Sequence, residues 1–173
     1  METLSSTIRL GTPDDLLGIF FADPMCQSVP GRTQLLNRSL AQGECLVATE
    51  GERIVGFVIR NRGFFGQAFI PLLVVAEASR RAGIGTALMT EAEVGCRRAK
   101  LFTTTNESNV AAQRLFEKCG YVPSGRTENL DDTDDELVYC MWFVRGAYPV
   151  APRGLPACGG CARRSGPPVS LFR

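Results

Sequence analysis

Apolar residues recur along the first forty positions at spacings that predict one short strand and two helices. Residues 7–10 are typical of a strand. The segment Thr12-Pro13-Asp14-Asp15 predicts a helix start, because a hydroxyl cap, a proline and two acids suit the positive end of a helix dipole. That helix should present to the core an apolar side formed by Leu16, Leu17, Phe20 and Phe21. Leu36 and Leu40 predict a second helix over residues 32–41.

Three strands are predicted next. Residues 45–49 and 54–61 flank the turn sequence Glu50-Gly51-Glu52, so they should pair as a hairpin. Residues 68–75 are nearly all apolar and rich in Ile, Leu and Val, which is typical of a strand buried on both faces. Pro71 interrupts that strand and has no N–H for a ladder, so we expect a bulge or an edge-like segment there.

The pattern then alternates between helices and strands. It predicts a helix over residues 83–97, a strand over 101–105 and a second helix over 109–118, which Gly120 should end. The apolar stripe of the first helix consists of Ile84, Ala87, Leu88 and Ala92, and that of the second of Ala112, Leu115, Phe116 and Cys119. Residues 121–126 and 137–144 predict two final strands, joined by an acidic loop over residues 128–136.

The predicted order of elements, β-α-α-β-β-β-α-β-α-β-β, defines an α/β or α+β fold with a mixed sheet and helices on both faces. The composition changes after residue 144, because residues 145–173 hold five prolines, five glycines, five arginines and no acidic residue. Such a segment cannot bury enough apolar area to build a packed element. We therefore predict a folded domain over residues 1–144 and a largely disordered tail over residues 145–173.

Charge and cysteine content narrow the functional classes. The formal net charge of the chain is +1, which favours neither nucleic acid nor a membrane surface as a partner. The chain lacks a signal-peptide pattern and any run of the ~18 apolar residues that a membrane helix needs, so we expect a cytoplasmic protein. Of seven cysteines, five lie in apolar stretches, which is typical of core thiols in a reducing compartment. The lack of histidine excludes His-based catalysis and His-ligated metal, and we expect no metal.

A candidate anion site follows the apolar strand of residues 68–75. After a short turn the chain continues as Arg80-Arg81-Ala82-Gly83-Ile84-Gly85-Thr86, where two glycines open a helix. Backbone N–H groups at a helix start have no partner within the helix, and with the helix dipole they attract anions. Gly83 and Gly85 leave room for a phosphate, and Arg80 and Arg81 add positive charge. The pattern suits a pyrophosphate, although an ordinary strand-to-helix turn also satisfies it, and it matches neither a Walker loop nor a dinucleotide fingerprint.

Two motifs in this half of the chain resemble those of one enzyme family. Residues 80–85 resemble the Arg/Gln-x-x-Gly-x-Gly/Ala signature of the GNAT superfamily of N-acetyltransferases. Residues 109–121, Asn-Val-Ala-Ala-Gln-Arg-Leu-Phe-Glu-Lys-Cys-Gly-Tyr, are similar to the family's Asn-x-x-Ala-x-x-Leu-Tyr-x-x-x-Gly-Phe helix and strand. Both motifs lie in the family's order and on matching predicted elements. The resemblance spans residues 7–144 and leaves out the tail.

The resemblance implies a soluble enzyme that moves the acetyl group of acetyl-CoA to an amine of a small molecule or peptide by direct attack. Acetyl-CoA would lie where the parallel strands of residues 68–75 and 101–105 splay apart. A backbone hydrogen bond near Val75 would stabilise the developing oxyanion, and one such donor is worth ~3 kcal/mol. The cofactor-binding residues that the resemblance implies are Leu73, Val74, Val75, Arg80, Arg81, Ala82, Gly83, Ile84, Gly85, Thr86, Asn109 and Phe116.

Two positions depart from the family pattern. Phe116 stands where many members have the tyrosine that protonates the leaving thiolate, and Thr104 lies near where ribosomal-protein acetyltransferases carry a glutamate base. Glu136 and Tyr139, on the last predicted strand, are the candidate catalytic replacements, because both can transfer protons. Side chains alternate along a strand, so these two should lie on opposite faces unless a bulge intervenes. A surface or packing role is the alternative for each.

Other readings remain open. A non-catalytic acetyl-CoA-binding sensor would explain the missing tyrosine and glutamate, and a structural partner protein would use the basic tail to recruit acidic surfaces. The acidic loop is either a solvated turn or a rim that concentrates cationic amines. Phe64 and Phe65 either line an acceptor pocket or, as we favour, cap the core. Cys158 and Cys161 form half of a zinc ribbon and cannot supply four ligands from the tail alone. The sequence is compatible with a homodimer.

Overall fold

The computed structural model describes residues 6–96 and 100–143, which form a seven-stranded sheet with two helices on each face. The helices are α1 (Leu16–Ala22), α2 (Arg32–Ala41), α3 (Ile84–Glu93) and α4 (Val110–Lys118). The strands are β1 (Thr7–Leu10), β2 (Cys45–Glu50), β3 (Arg53–Phe64), β4 (Gln67–Val75), β5 (Lys100–Asn106), β6 (Val122–Thr127) and β7 (Glu136–Trp142). The predicted tail, with Cys158 and Cys161, lies outside the described residues. No helix within these two ranges is long and apolar enough to span a membrane.

The strand order is β1-β2-β3-β4-β5-β7-β6, and β4 and β5 form the one parallel pair among the described strands. The predicted hairpin of β2 and β3 is present and antiparallel. The crossover connection that these parallel neighbours require contains α3. The predicted order of elements and the mixed, mostly antiparallel sheet are therefore confirmed.

Two apolar cores fill the two faces of the sheet. The first packs α3 and α4 against the sheet, and its buried residues include Ile70, Leu88, Leu101, Phe116 and Tyr139. The second packs α1 and α2 against the opposite face, and its buried residues include Ile19, Leu36, Val47, Phe57 and Ile59. Apolar burial on both faces of a central sheet is the main stabilising contribution in a layered fold of this kind.

Pro71 lies at a bulge in β4, as predicted. The pairing of β3 with β4 shifts there from Ile59–Leu72 to Asn61–Phe69, so two β4 residues oppose a single β3 residue. An extra residue reverses the alternation of side chains that follows it. The alternation of β4 side chains before the bulge is therefore opposite to the alternation after it, so the bulge changes which β4 residues face each core.

The strand β4 is not buried on both faces, contrary to the prediction. Ile70 is its one fully buried residue, and Leu73 and Val75 are half-buried. The reason is that β4 pairs with β5 only over Ala68–Ile70, after which β5 no longer lies within hydrogen-bonding distance. The second half of β4 therefore borders a gap in the sheet.

The helix α1 turns only part of its predicted apolar side to the core, where Leu16 and Phe20 pack as expected. Leu17 is 69% exposed and Phe21 is 87% exposed, whereas Ile19 is fully buried. A side chain at Gly18 would approach Ile54 of β3 to 2.8 Å, so the glycine lets this side of the helix lie directly on the sheet. The close approach at Gly18 thus fixes the rotation of α1.

The helix α3 is shorter than predicted and differs at one position of its apolar stripe. It ends at Glu93 and passes into the 3-10 turn Val94–Cys96. Met89 is buried in the first core, whereas Ala87 is exposed. Ile84, Leu88 and Ala92 are buried as predicted.

Candidate active site

The gap between β4 and β5 presents unpaired backbone. The Ala76 N–H donates to the Val55 carbonyl of β3 at 2.9 Å. Because hydrogen-bonded and non-bonded positions alternate in an antiparallel pair, the N–H and C=O groups of Leu73 and Val75 point away from β3. At that level β5 offers no partner. The backbone of these two residues therefore lines the gap, while that of Val74 faces Phe57 of β3.

The ladder between β4 and β5 ends for an identifiable reason. Ile70 is the last β4 residue in register, opposite Thr103. The Thr103 hydroxyl donates to the Ile70 carbonyl at 3.1 Å, and the next residue, Pro71, has no N–H to offer. The strands can therefore separate without leaving a buried polar group unpaired.

The start of α3 lies next to this gap and has a geometry that suits an anion. The Ala87 N–H reaches the Gly83 carbonyl at 3.0 Å, whereas the N–H groups of residues 81–86 have no hydrogen-bond partner within the two described ranges. Gly83 has φ of 84°, and no atom lies within 4 Å of the position a Cβ would occupy. Arg81 also has a positive φ of 66°, which is unusual for a residue with a side chain. Such strain is typical of functional turns.

Two neighbours of this turn have contacts that the sequence did not predict. A Cβ at Gly85 would lie 3.1 Å from Leu115 of α4, so this glycine serves the packing of α3 on α4 rather than open space for a phosphate. The Arg80 Nε donates to the Val75 carbonyl at 3.2 Å. Arg80 thus braces the turn against β4 and covers one of the polar groups in the gap.

Asn109 and Phe116 lie at opposite ends of α4. The Asn109 Oδ1 accepts the Ala112 N–H at 3.2 Å and caps the helix, which leaves its Nδ2 as a free donor in the described part of the chain. Phe116 is 3% exposed, and its ring lies 5.5 Å from that of Tyr139. Phe116 is therefore a core residue whose ring faces Tyr139.

Glu136 and Tyr139 lie on opposite faces of β7, because that strand pairs with β5 without a bulge. Tyr139 is 3% exposed and packs with α4, and burial raises the pKa of its phenol. Glu136 is half-buried on the other face, towards the side of the sheet that carries α1 and α2. The predicted alternation is confirmed.

Thr104 is a diagonal neighbour of Glu136 on the adjacent strand, next to its direct partner Asn106. Burial raises the pKa of the Glu136 carboxyl, a hydrogen bond from the Thr104 hydroxyl lowers it, and the charges of Asp131 and Asp134 raise it again. Thr104 pairs with Val138, two residues from Glu136 on the same face. The strand β7 thus places the Glu136 carboxylate beside Thr104, a β5 position that has no carboxylate of its own. The spacing of the two residues in the sequence could not reveal that they are close.

The acidic loop is tied to the start of α4. Asp134 accepts hydrogen bonds from the N–H and the hydroxyl of Ser108, at 3.1 and 2.5 Å. Arg126 pairs with Asp135 and, at 2.9 Å, with Glu107. These partners neutralise part of the loop's charge and fix its position next to Glu136.

The phenylalanine pair between β3 and β4 does not cap the core as predicted. Phe65 is 92% exposed and has φ of 49°. The Phe64 ring lies 5.3 Å from Phe69 and 4.8 Å from Phe102, on the face that carries Glu136. The expected core role is therefore wrong for Phe65, and Phe64 belongs to a half-buried aromatic cluster.

An open cleft of about 420 Å³ lies where the start of α2 meets the β4 bulge. Its lining includes Val29, Pro30, Arg32, Leu35, Pro71 and Leu72. Arg32 Nε lies 2.9 Å from an oxygen of Asp23, which is 3% exposed. Sequence patterns gave no signal for this ion pair, because the 3-10 helix Pro24–Gln27 and a turn separate its partners.

The sequence model of the Acetyltransferase (GNAT) family matches residues 16–121. A Bacillus cereus acetyltransferase of the GNAT family has 29% identity and a TM-score of 0.74, covering 82% of this chain and 99% of its own. Diaminobutyrate acetyltransferase from Paenibacillus lautus, solved with L-2,4-diaminobutyric acid and coenzyme A, has 22% identity and a TM-score of 0.60, covering 79% and 95%. The protein yncA from Salmonella typhimurium, solved with acetyl-CoA, has 16% identity and a TM-score of 0.65, covering 84% and 98%. No curated protein matches the sequence.

Proposed function

The chain belongs to the GNAT acetyltransferase family, and from this premise we propose that it acetylates a primary amine with Glu136 as the base. It is an acyltransferase that uses acetyl-CoA. The observation that carries the proposal is the junction of three features: unpaired β4 backbone, free amides at the start of α3, and a half-buried carboxylate across the gap. A sensor without turnover would need the first two features but not the third.

The residues present fit acetyl-CoA. The free N–H groups of residues 81–86 and the open space at Gly83 suit a pyrophosphate. The Leu73 and Val75 backbone suits an extended amide-bearing arm, which would add to β4 as a strand does. Asn109 Nδ2 and Arg80 stand at the edges of the same gap. Val74, Ile84, Gly85 and Phe116 would shape this site through packing rather than by direct polar contact.

When bound, acetyl-CoA supplies an activated acyl carbon that an uncharged amine can attack. The N–H groups of Leu73 and Val75 face the gap, so either can donate to an oxygen that gains negative charge, and one such donor contributes ~3 kcal/mol. The amine reaches the site as an ammonium ion and must lose a proton. Glu136, with its pKa raised by burial, accepts that proton directly or through one water molecule.

The leaving thiolate needs less help than the amine. Phe116 carries no proton, and Tyr139 lies under α4 on the face away from Glu136. We propose that solvent protonates the thiolate and that Tyr139 supports the position of Phe116 through ring packing. Thiolates are stable enough as anions near neutral pH for this to be sufficient.

We also propose a cytoplasmic location. Cys26, Cys45, Cys96, Cys119 and Cys140 are free in the structure. Burial raises the pKa of Cys26 and Cys45 to about 12, so these thiols are inert core residues, which suits a reducing compartment. Independence from nucleic acid and membranes, and assembly as a homodimer, remain predictions from the sequence.

A screen of primary amines with acetyl-CoA, read by release of the CoA thiol, tests this function. Glu136→Gln should lower kcat/KM on the best amine by ~10²–10⁴-fold while leaving acetyl-CoA affinity unchanged, because it removes proton transfer at nearly constant volume. Asp132→Asn, an exposed acid of the same loop, is the matched control and should behave as wild type. Thiol release that is equal in Glu136→Gln and wild type would exclude Glu136 as the base, and no release with any amine would favour the sensor.

A further inference from the structure

The cleft at the start of α2 adjoins the proposed reaction site. Leu72 lines it, and the next residue, Leu73, presents its backbone to the gap. Neighbouring strand residues are ~3.3 Å apart, so one wall of the cleft lies directly beside the backbone that we propose holds the acyl group. The cleft opens on the same sheet face as Thr104 and Glu136, because Leu72 packs with the second core.

Arg32 is the one charged residue that lines the cleft. The oxygens of Asp23 are already engaged, since Oδ1 accepts the Met25 N–H at 3.1 Å and Oδ2 accepts the Cys26 thiol at 3.2 Å. Arg32 Nε stands 2.9 Å from Oδ2, yet it is buried and has no hydrogen bond of acceptable geometry. Asp23 therefore attracts the guanidinium of Arg32 through its charge, but it does not occupy the N–H donors of that guanidinium.

The free donors of Arg32 suggest a second anionic partner. Arginine has five N–H donors, and within residues 6–96 and 100–143 the buried Nε of Arg32 has no hydrogen-bond partner of acceptable geometry, although it lies 2.9 Å from Asp23 Oδ2. The terminal nitrogens of Arg32 are not among the buried unpaired atoms, so on this 16% exposed side chain they are accessible to water or to a ligand. When one edge of a planar guanidinium is fixed, the N–H groups of its other edge can still pair with the two oxygens of a carboxylate.

The other walls of the cleft are apolar. Val29, Leu35, Pro71 and Leu72 surround Arg32 and offer hydrocarbon contact to a side chain. Glu136 lies across the gap, on the second strand from β4 in the order of the sheet. The face thus has the guanidinium of the Arg32–Asp23 ion pair on one side, the Glu136 carboxylate on the other and apolar surface beside the guanidinium.

We infer that this cleft binds the acceptor and that Arg32 selects an acceptor whose carboxylate lies next to its amine. The acceptor class is a free α-amino acid with an apolar side chain, in preference to a polyamine or a lysine of a protein. The assignment rests on the proposed function and adds Arg32 as a specificity residue. The carboxylate pairs with Arg32, the side chain contacts the apolar wall, and the amine points towards the gap.

L-leucine and L-leucinamide test the inference, because they share a side chain and differ at the carboxylate. Wild type should prefer L-leucine in kcat/KM by about ten- to a hundredfold, the range for a charge-assisted hydrogen bond. Arg32→Gln should remove the preference mainly through KM. Arg38→Gln, an exposed arginine of the same helix, should keep it. Should Arg32→Gln fail to fold because Asp23 is left unpaired, the Asp23→Asn/Arg32→Gln double variant removes both charges together.

Binding provides a readout that does not require turnover. Calorimetry with the CoA-loaded protein should show tighter binding of N-acetyl-L-leucine than of N-acetyl-L-leucinamide, and the double variant should bind both equally. The inference would be overturned if wild type used or bound the two compounds of each pair equally. It would also be overturned if the preference survived in the Arg32 variants. Turnover of other amines without turnover of either leucine compound would also overturn the inference. Absence of thiol release with every amine would instead contradict the proposed function, and the binding comparison would still decide the role of Arg32.

Discussion

In the proposed mechanism, the base Glu136 comes from a different strand than the one on which the sequence pattern lacks a carboxylate. The carboxylate is contributed by β7, yet it lies on the same face as Thr104 of β5, whose hydroxyl lowers the pKa of that carboxyl. Burial raises the pKa of the carboxyl, which brings it closer to the value of an effective base near neutral pH. The sequence identified Glu136 as a candidate through its residue type and strand, whereas its contact with Thr104 depends on the β5–β7 register.

The pH profile of kcat/KM should report this carboxyl. The rate should fall as pH drops through the pKa of Glu136, because the base must be deprotonated, and this acidic limb should lie above the ordinary glutamate pKa of 4.5. Thr104→Val removes a hydrogen bond that favours the charged form, so it should move the limb to higher pH. The measurement is kcat/KM against pH for wild type, Thr104→Val and Thr104→Ser, the last being the control that keeps the hydroxyl. A limb that is identical in all three would contradict the proposed role of Thr104.

At the scale of elements, periodicity predicted which segments are helices and strands but not always which side is buried. In α1, residues on both sides are apolar, so the pattern cannot choose between them. The close approach of Gly18 to Ile54 determines which side of α1 is buried, and these two residues are far apart in sequence. Pro71 was informative because a missing N–H has one consequence in any sheet, and the bulge was predicted for that reason.

The entry to α1 offers a test of local stability. Asp15 accepts hydrogen bonds from the Thr12 N–H at 2.8 Å and from Arg9 at 2.6 Å, and these lower its pKa to about 2. Asp15→Asn should therefore destabilise the fold by on the order of 1 kcal/mol at neutral pH. The exposed Asp14→Asn serves as control.

The pH dependence of that loss has a defined sign. Asp15 has a lower pKa in the folded chain than its ordinary value of 3.8, so its contribution is full above about pH 4 and disappears as pH falls towards 2. The difference in Tm between wild type and Asp15→Asn should be constant from pH 7 to 5 and shrink below pH 4. A difference that grows on acidification would contradict the assigned ion pair.

At the scale of the whole molecule, the site forms where the two halves of the sheet separate. The first half contributes Arg32 and the β4 backbone, and the second contributes Glu136 on β7. The cofactor side of the proposed site has a clear sequence signal, because its motif is contiguous in sequence, and its individual contacts remain a prediction. The acceptor side could not, since its residues are distant in sequence and depend on the bulge and the splay. The division into a domain over residues 1–144 and a tail over 145–173 remains a prediction.

The central claim is that the start of α3 holds acetyl-CoA, and thermal unfolding with the cofactor tests it most directly. Acetyl-CoA at a hundred times its Kd should raise the Tm of wild type by roughly 5–10 °C. Gly83→Glu places a bulky anion in the open space before α3 and should abolish the rise. Gly66→Glu is the matched control, because Gly66 has a similar φ of 77° and equally open surroundings at a hairpin turn, so it should keep the full rise. A folded Gly83→Glu variant with the same Tm rise as wild type would contradict the account.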